Sequence, residues 1–157
     1  MEQAFSALAR SVFQQLAPHH SKPGSVGYCA PNIQCKIVDP LSTDELGVKE
    51  TGELWIRSPQ VMKGYFNNPA ATAESLDAEG WYHTGDLGYA DEDGYFYIVD
   101  RLKELIKYKG YQVIPSELEA ILLNNPPIVE GAVIPMPDEQ AGEVPKAFVV
   151  TRRPLTA

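Results

Sequence analysis

Four cations crowd into nine positions of an otherwise acidic chain. In "IVDRLKELIKYKGYQV", residues 98 to 113, Arg101, Lys103, Lys107 and Lys109 are opposed only by Asp100 and Glu104. Lys107 and Lys109 are two apart, which puts them on one face of a regular strand. Two ammonium groups so placed repel each other unless an anion or a carboxylate lies between them, and a polyphosphate suits. The plainer alternative is a solvated strand pair. A second stretch, "YHTGDLG" (82 to 88), sets Asp86 between Gly85 and Gly88 on what reads as a tight loop. An exposed carboxylate there can accept two hydroxyl hydrogen bonds, as a ribose diol offers. Taken alone, the stretch reads more readily as a turn aspartate bonding its own backbone. His83 invites a general-base role, but no nucleophile sits beside it.

The rest of the chain must position these groups. Its 157 residues carry a formal net charge of −8 and a pI near 4.8, with 44% hydrophobic residues. That suffices for one ordinary domain or two small ones, and it argues against nucleic acid or an anionic membrane surface as partner. No run is long and apolar enough for a membrane helix. Residues 1–18, with Phe5, Leu8, Val12, Phe13 and Leu16 near helical spacing, read as a helix; a weak organellar presequence is the alternative. Cys29 and Cys35 match no zinc or redox spacing and read as reduced packing residues. His19 and His20 read as solvated loop residues, and no metal site is expected. The cytosol is the default location.

From residue 23 the pattern turns to β. "NIQCKIVD" alternates Ile33, Cys35 and Ile37 against Gln34 and Lys36, and "GELWIRS" alternates Leu54 and Ile56 against Trp55 and Arg57. "GYADEDGYFYIVD" reads as a hairpin around Asp93-Gly94. "ELIKYKGYQV" reads as another, with Gly110 free to take positive φ. "PSELEAILLNNPP" then predicts a helix with Ser116 and Glu119 as a capping box, Leu118, Ile121 and Leu122 as its buried stripe, and Pro126-Pro127 as its stop. "IVEGAVIP" and "KAFVVTR" are two more strands. The expected fold is α+β: an antiparallel β-meander, a hinge, and a small α+β lobe that looks incomplete. One helix cannot cover both faces of the lobe's sheet. Unpaired edges or an uncovered apolar face around Val133 and Phe148 are therefore expected to favour self-association.

Taken together, the run from about Lys22 to Val150 resembles the adenylate-forming superfamily of acyl- and aryl-CoA ligases, luciferases and peptide-synthetase adenylation domains. It is most similar to 4-coumarate–CoA ligases and their relatives, through "YHTGDLG" followed by "IVDRLKELIKYKGYQV". The resemblance implies a division into 1–22 (outside the family pattern), 23–100 (distal β part of the AMP-binding domain), 101–103 (hinge) and 104–157 (part of the C-terminal domain). It implies nucleotide contacts at Asp86 (both ribose hydroxyls), Ile98 (adenine side), Arg101 (ribose) and Lys103 (hinge). Lys107 and Gln112 correspond to residues brought in for thioester formation, and Lys109 and Gly110 to a coenzyme A contact region. The implied cofactors are ATP or AMP, coenzyme A and, in the intact family, Mg²⁺. The implied partner is a small carboxylic acid, and peroxisomal location is the alternative to cytoplasm.

The family's Ser/Thr/Gly-rich phosphate loop ending in Pro-Lys-Gly does not occur in these residues, nor does its Pro-x-x-Gly-Lys lysine. Each such electrostatic donor is worth roughly 3–4 kcal/mol in the transition state. The resemblance therefore implies a ligase piece that is inactive or nearly so alone. The alternatives are a module that binds nucleotide, coenzyme A or a full-length ligase, and a luciferase relative.

Overall fold

The computed structural model describes residues 12–14 and 22–152. The chain divides into two compact units at Val99–Asp100.

In the first unit, β1 (Phe13–Gln14) pairs antiparallel with β2 (Tyr28–Cys29). A four-stranded sheet follows, in the order β3 (Gln34–Val38), β4 (Gly52–Arg57), β5 (Tyr82–Ala90), β6 (Phe96–Arg101). The alternation read from the sequence sorts its faces. Cys35 pairs with Ile56 and Ile37 with Leu54. Leu54 (2% exposed) and Ile56 (1%) anchor a core that includes Phe13, Phe96 and Val12. Truncating Leu54 to alanine would cost about 2–5 kcal/mol. On the opposite face Lys36, Trp55 and His83 run across β3, β4 and β5. Trp55 and His83 stack at 3.8 Å, and the Lys36 ammonium lies 4.8 Å from the Trp55 ring and 4.4 Å from that of Trp81.

Four expectations change here. Phe13–Gln14 is strand rather than helix; the remainder of the expected N-terminal helix, and His19 and His20, lie outside the described residues. Cys29 and Cys35 form a disulfide across 6.7 Å between their Cα atoms, because the turn at Ala30–Asn32 folds the two core-facing positions together. A short helix, α1 (Pro69–Ser75), interrupts the meander. Asn68 caps it by accepting the Ala71 amide at 3.0 Å, and Pro69 opens it. "YHTGDLG" is part of strand β5, not a loop between strands.

The second unit begins with a 3₁₀ turn (Leu102–Glu104) and continues as β7 (Ile106–Tyr108), β8 (Tyr111–Val113), α2 (Pro115–Leu123), β9 (Ile128–Asp138) and β10 (Gly142–Thr151). The sheet order is β8-β7-β10-β9. Ile106, fully buried, and Leu105 fasten the first hairpin inward. The capping box does not form. Ser116 donates its amide to Asp100 Oδ2 at 3.2 Å, and Glu119 Oε1 accepts the Val133 amide at 2.9 Å. Pro115, at the first helical position, is buried; Ile121 is 66% exposed, so the stripe narrows to Leu118 and Leu122, the latter over Gly131.

The β9–β10 hairpin has two unlike faces. Residues directly opposite one another share a face. Val133 and Gly131 therefore face α2 with their partners Ala147 and Val149. The other face carries Ile134, Met136, Phe148 and Val150, each 44–54% exposed. The strand edge behaves differently. The outward amide of Val133 is taken by Glu119, and the next outward positions are Pro135 and Pro137, which have no N–H. The expected free edge near Val133 thus offers no free amide at 133, 135 or 137, while the opposite face stays exposed among the described residues. No helix among the described residues is long and apolar enough to cross a membrane.

Candidate functional site

Asp86 owes its place to a slip in register. Glu53 opposes Leu87, but Trp55 opposes His83. Leu54 alone must therefore face Thr84, Gly85 and Asp86, and the surplus bulges from the ladder. Side chains satisfy the main-chain groups left over. Thr84 Oγ1 donates to the Leu54 carbonyl at 2.7 Å and accepts the Asp86 amide at 3.0 Å. Glu53, 7% exposed, accepts the Gly85 amide at 2.9 Å and, through its other oxygen, the Trp55 indole N–H at 2.8 Å. Gly85 has φ +70° and open space where a Cβ would stand. At Gly88 a Cβ would come within 2.4 Å of the Tyr97 carbonyl, so that glycine serves the approach of β5 to β6. Asp86 is thus held half-buried by a braced main chain. The bracing residues Glu53 and Thr84 were not singled out from the sequence.

Ile98, on β6, packs against the core cluster of the first unit, with its Cδ1 beside Gly88. The strand runs on to Arg101 in the second unit. Asp100 there accepts two amides, Arg101 N at 2.8 Å and Ser116 N at 3.2 Å. A carboxylate on the amide of Ser116, in the helix's first turn, also suits the positive end of its dipole. Asp100 therefore closes the segment 101–115 at its base, a role that sequence reading missed because the two partners are fifteen residues apart. Lys103 lies exposed in the 3₁₀ turn.

The β7–β8 hairpin turns in two residues. Tyr108 opposes Tyr111, and Lys109 and Gly110 between them take φ +48° and +85°. Positive φ at both positions is the type I′ geometry that matches strand twist. Lys109 therefore belongs to the turn, and the expectation that it shares a strand face with Lys107 fails. Its ammonium lies 5.5 Å from the Tyr108 ring centroid. Lys107 instead has Gln112 directly opposite, and both are exposed. The hairpin thus presents one cation and one amide as neighbours.

His83 is committed elsewhere. Its ring stacks on Trp55, and Nε2 is 3.7 Å from Asp77 Oδ2 without a hydrogen bond. Among the described residues no cluster of side chains could hold a metal ion.

The model of the AMP-binding enzyme family matches residues 5–66, and that of the AMP-binding enzyme C-terminal domain matches residues 117–157. The first match starts inside the 1–22 segment set apart above. The chain is 55% identical over 94% of its length to 4-coumarate–CoA ligase-like 2 of Arabidopsis thaliana, of which it spans 26%. Its fold matches ATP-bound MatB from Rhodopseudomonas palustris over 87% of this chain and 27% of that one, at TM-score 0.77 and 36% identity. It also matches o-succinylbenzoate CoA synthetase from Bacillus subtilis, solved with its acyl-adenylate intermediate, over 90% of this chain and 29% of that one, at TM-score 0.73 and 36% identity. The chain spans about a quarter of the length of these proteins. The two family matches, the 55% identity and the shared fold together place the chain in the adenylate-forming, AMP-binding enzyme family.

Proposed function

We propose that the chain is part of an ATP-dependent acyl- or aryl-CoA ligase. In the first half-reaction a carboxylate attacks the α-phosphorus of ATP, pyrophosphate leaves and an acyl-adenylate forms. In the second the coenzyme A thiol attacks the acyl carbonyl and AMP leaves. The observation that carries this reading is the sorting of the expected residues. Asp86 and Ile98 belong to one compact unit, and Arg101, Lys103, Lys107, Lys109, Gly110 and Gln112 to the other. Two half-reactions sharing one nucleotide ask for such an arrangement: a constant ribose contact and a separate unit that brings different side chains to it.

The residues fit these ligands. Asp86, a half-buried carboxylate carried on a braced bulge, suits a ribose diol. The exposed Lys107 and Lys109 suit phosphate groups, and the positive-φ Gly110, with nothing within 4 Å of its would-be Cβ, lets a thin chain pass near the backbone. In this reading Asp86 orients the nucleotide throughout, Lys103 serves the change of orientation, and Lys107 and Gln112 stabilise charge in the thioester step. Mg²⁺ would neutralise the ATP phosphates; the described residues offer no cluster to hold it alone.

Two assays test the proposal. The 157-residue chain alone, which contains neither the phosphate loop nor the Pro-x-x-Gly-Lys lysine, is expected to show no pyrophosphate exchange with cinnamic or fatty acids. Exchange well above a no-protein blank would overturn its part in that division of labour. Grafted into an intact ligase, the segment should support activity. There Lys107→Ala should slow thioester formation roughly ten- to a hundredfold and adenylation much less, the scale of one charge-assisted hydrogen bond. Equal losses in both steps would remove the two-orientation role.

A further inference from the structure

The hairpin that carries Lys107 and Gln112 is joined to the rest of its sheet by an irregular contact. Strand β7 meets β10 at one registered pair, Tyr108 with Gly142. The neighbouring Lys109 amide bonds regularly, to the Ala141 carbonyl at 2.8 Å. On the other side a regular antiparallel ladder would give the Lys107 amide a main-chain acceptor on β10. It finds a side chain instead: Glu143 Oε2 accepts it at 2.8 Å. Gly142 has φ +80°, and a Cβ there would stand 3.3 Å from the Lys107 carbonyl. That left-handed residue turns β10 aside at the point where the glutamate takes over. Asp138 Oδ1 supports the other end of the contact by accepting the Gln140 and Ala141 amides at 2.9 and 2.8 Å.

We propose that Glu143 is a positioning residue: by accepting the Lys107 main-chain amide, its carboxylate sets the orientation in which the hairpin presents Lys107 and Gln112. Side-chain attachment has a chemical consequence that a main-chain ladder lacks. The acceptor is charged, so the bond is stronger than a neutral one, and it hangs on rotatable torsions. At Lys107 the hairpin is thus held by a side chain, beside the main-chain bond of Lys109. The functional weight of the inference rests on the ligase reading above; the geometric part does not.

Amide hydrogen exchange on the full chain, read residue by residue by NMR, decides the geometric part. Glu143→Ala should speed exchange at Lys107 about tenfold or more. Glu143→Gln keeps an oxygen acceptor and should stay within about threefold of the parent. The Val133 amide, held by Glu119, should not change in either variant. Unchanged exchange at Lys107 in Glu143→Ala, or equal acceleration at Val133, would overturn the proposal. In the grafted ligase Glu143→Ala should slow thioester formation, Glu143→Gln should restore it, and Glu143→Ala should add nothing once Lys107 is alanine. Additive losses would show that Glu143 does not act through Lys107. A graft inactive even with native Glu143 would count against the ligase reading alone, because the exchange measurement stands without it.

Discussion

At the scale of single residues, Asp86 depends on the neighbours that brace its main chain. Thr84 both donates to Leu54 and accepts from Asp86. Thr84→Val keeps the shape but removes its hydrogen bonds to the Leu54 carbonyl and from the Asp86 amide in a half-buried bulge. We expect a loss of about 1–3 kcal/mol in urea unfolding, most of it recovered by Thr84→Ser. Equal stability of the valine and serine variants would remove Thr84 from the brace. The aspartate and the cations were legible because their residue types sit in a distinctive string. Glu53 and Thr84 were not, because a bulge exists only relative to a partner strand thirty residues away. Gly85 was a visible hint. The Cys29–Cys35 bond was hidden for a similar reason: both side chains face the core, and apolar packing explains their burial equally well.

At the scale of elements, alternation was a reliable guide and capping was not. The faces of β3 and β4 fall where Ile37, Leu54 and Ile56 predicted. Helix α1 escaped notice because none of its seven residues is buried, so no apolar period marks it; its signal was the cap, Asn68-Pro69. Ser116 and Glu119 have capping-box spacing, but tertiary partners, Asp100 and Val133, took both. The β5–β6 turn offers a test by pH. Lys22 bonds Asp91 at 2.5 Å and Asp93 at 2.6 Å. The Lys22 hydrogen bond is the main cause that holds the Asp91 carboxyl down to about 2, with the Tyr95 and Asp93 amides adding to it. A depressed carboxyl contributes stability that is fully present above its unfolded value of about 4 and lost as pH falls toward 2. Acid titration of unfolding stability should therefore show a decline between about pH 4 and 2 that Asp91→Asn flattens. An unchanged profile in that variant would assign the decline to other carboxylates. Lys22 is raised by the same pair, chiefly through its bond to Asp91, so its share persists through neutral pH and disappears only above the ordinary lysine range.

At the scale of the whole molecule, the exposed face of the β9–β10 hairpin is expected to set behaviour in solution. Among the described residues, Ile134, Met136, Phe148 and Val150 stay 44–54% exposed on it, with the Lys146 ammonium 5.2 Å from the Phe148 ring centroid. The 157-residue chain should associate as concentration rises, and Phe148→Lys with Met136→Lys should return it to monomer without lowering its unfolding midpoint. Sedimentation that stays monomeric for the parent at high concentration would contradict this. The form of that association follows from the edge of β9. Endless growth needs a strand whose outward amides can recruit another strand. Here Glu119 occupies one such amide, and Pro135 and Pro137 supply none. Growth by strand addition is blocked along that stretch, while contact through the face can close on itself by two-fold symmetry. Two prolines and one glutamate thus separate how much of this chain should stick together from how far the sticking should extend along β9: pairs through the face are expected there, not strand-by-strand growth.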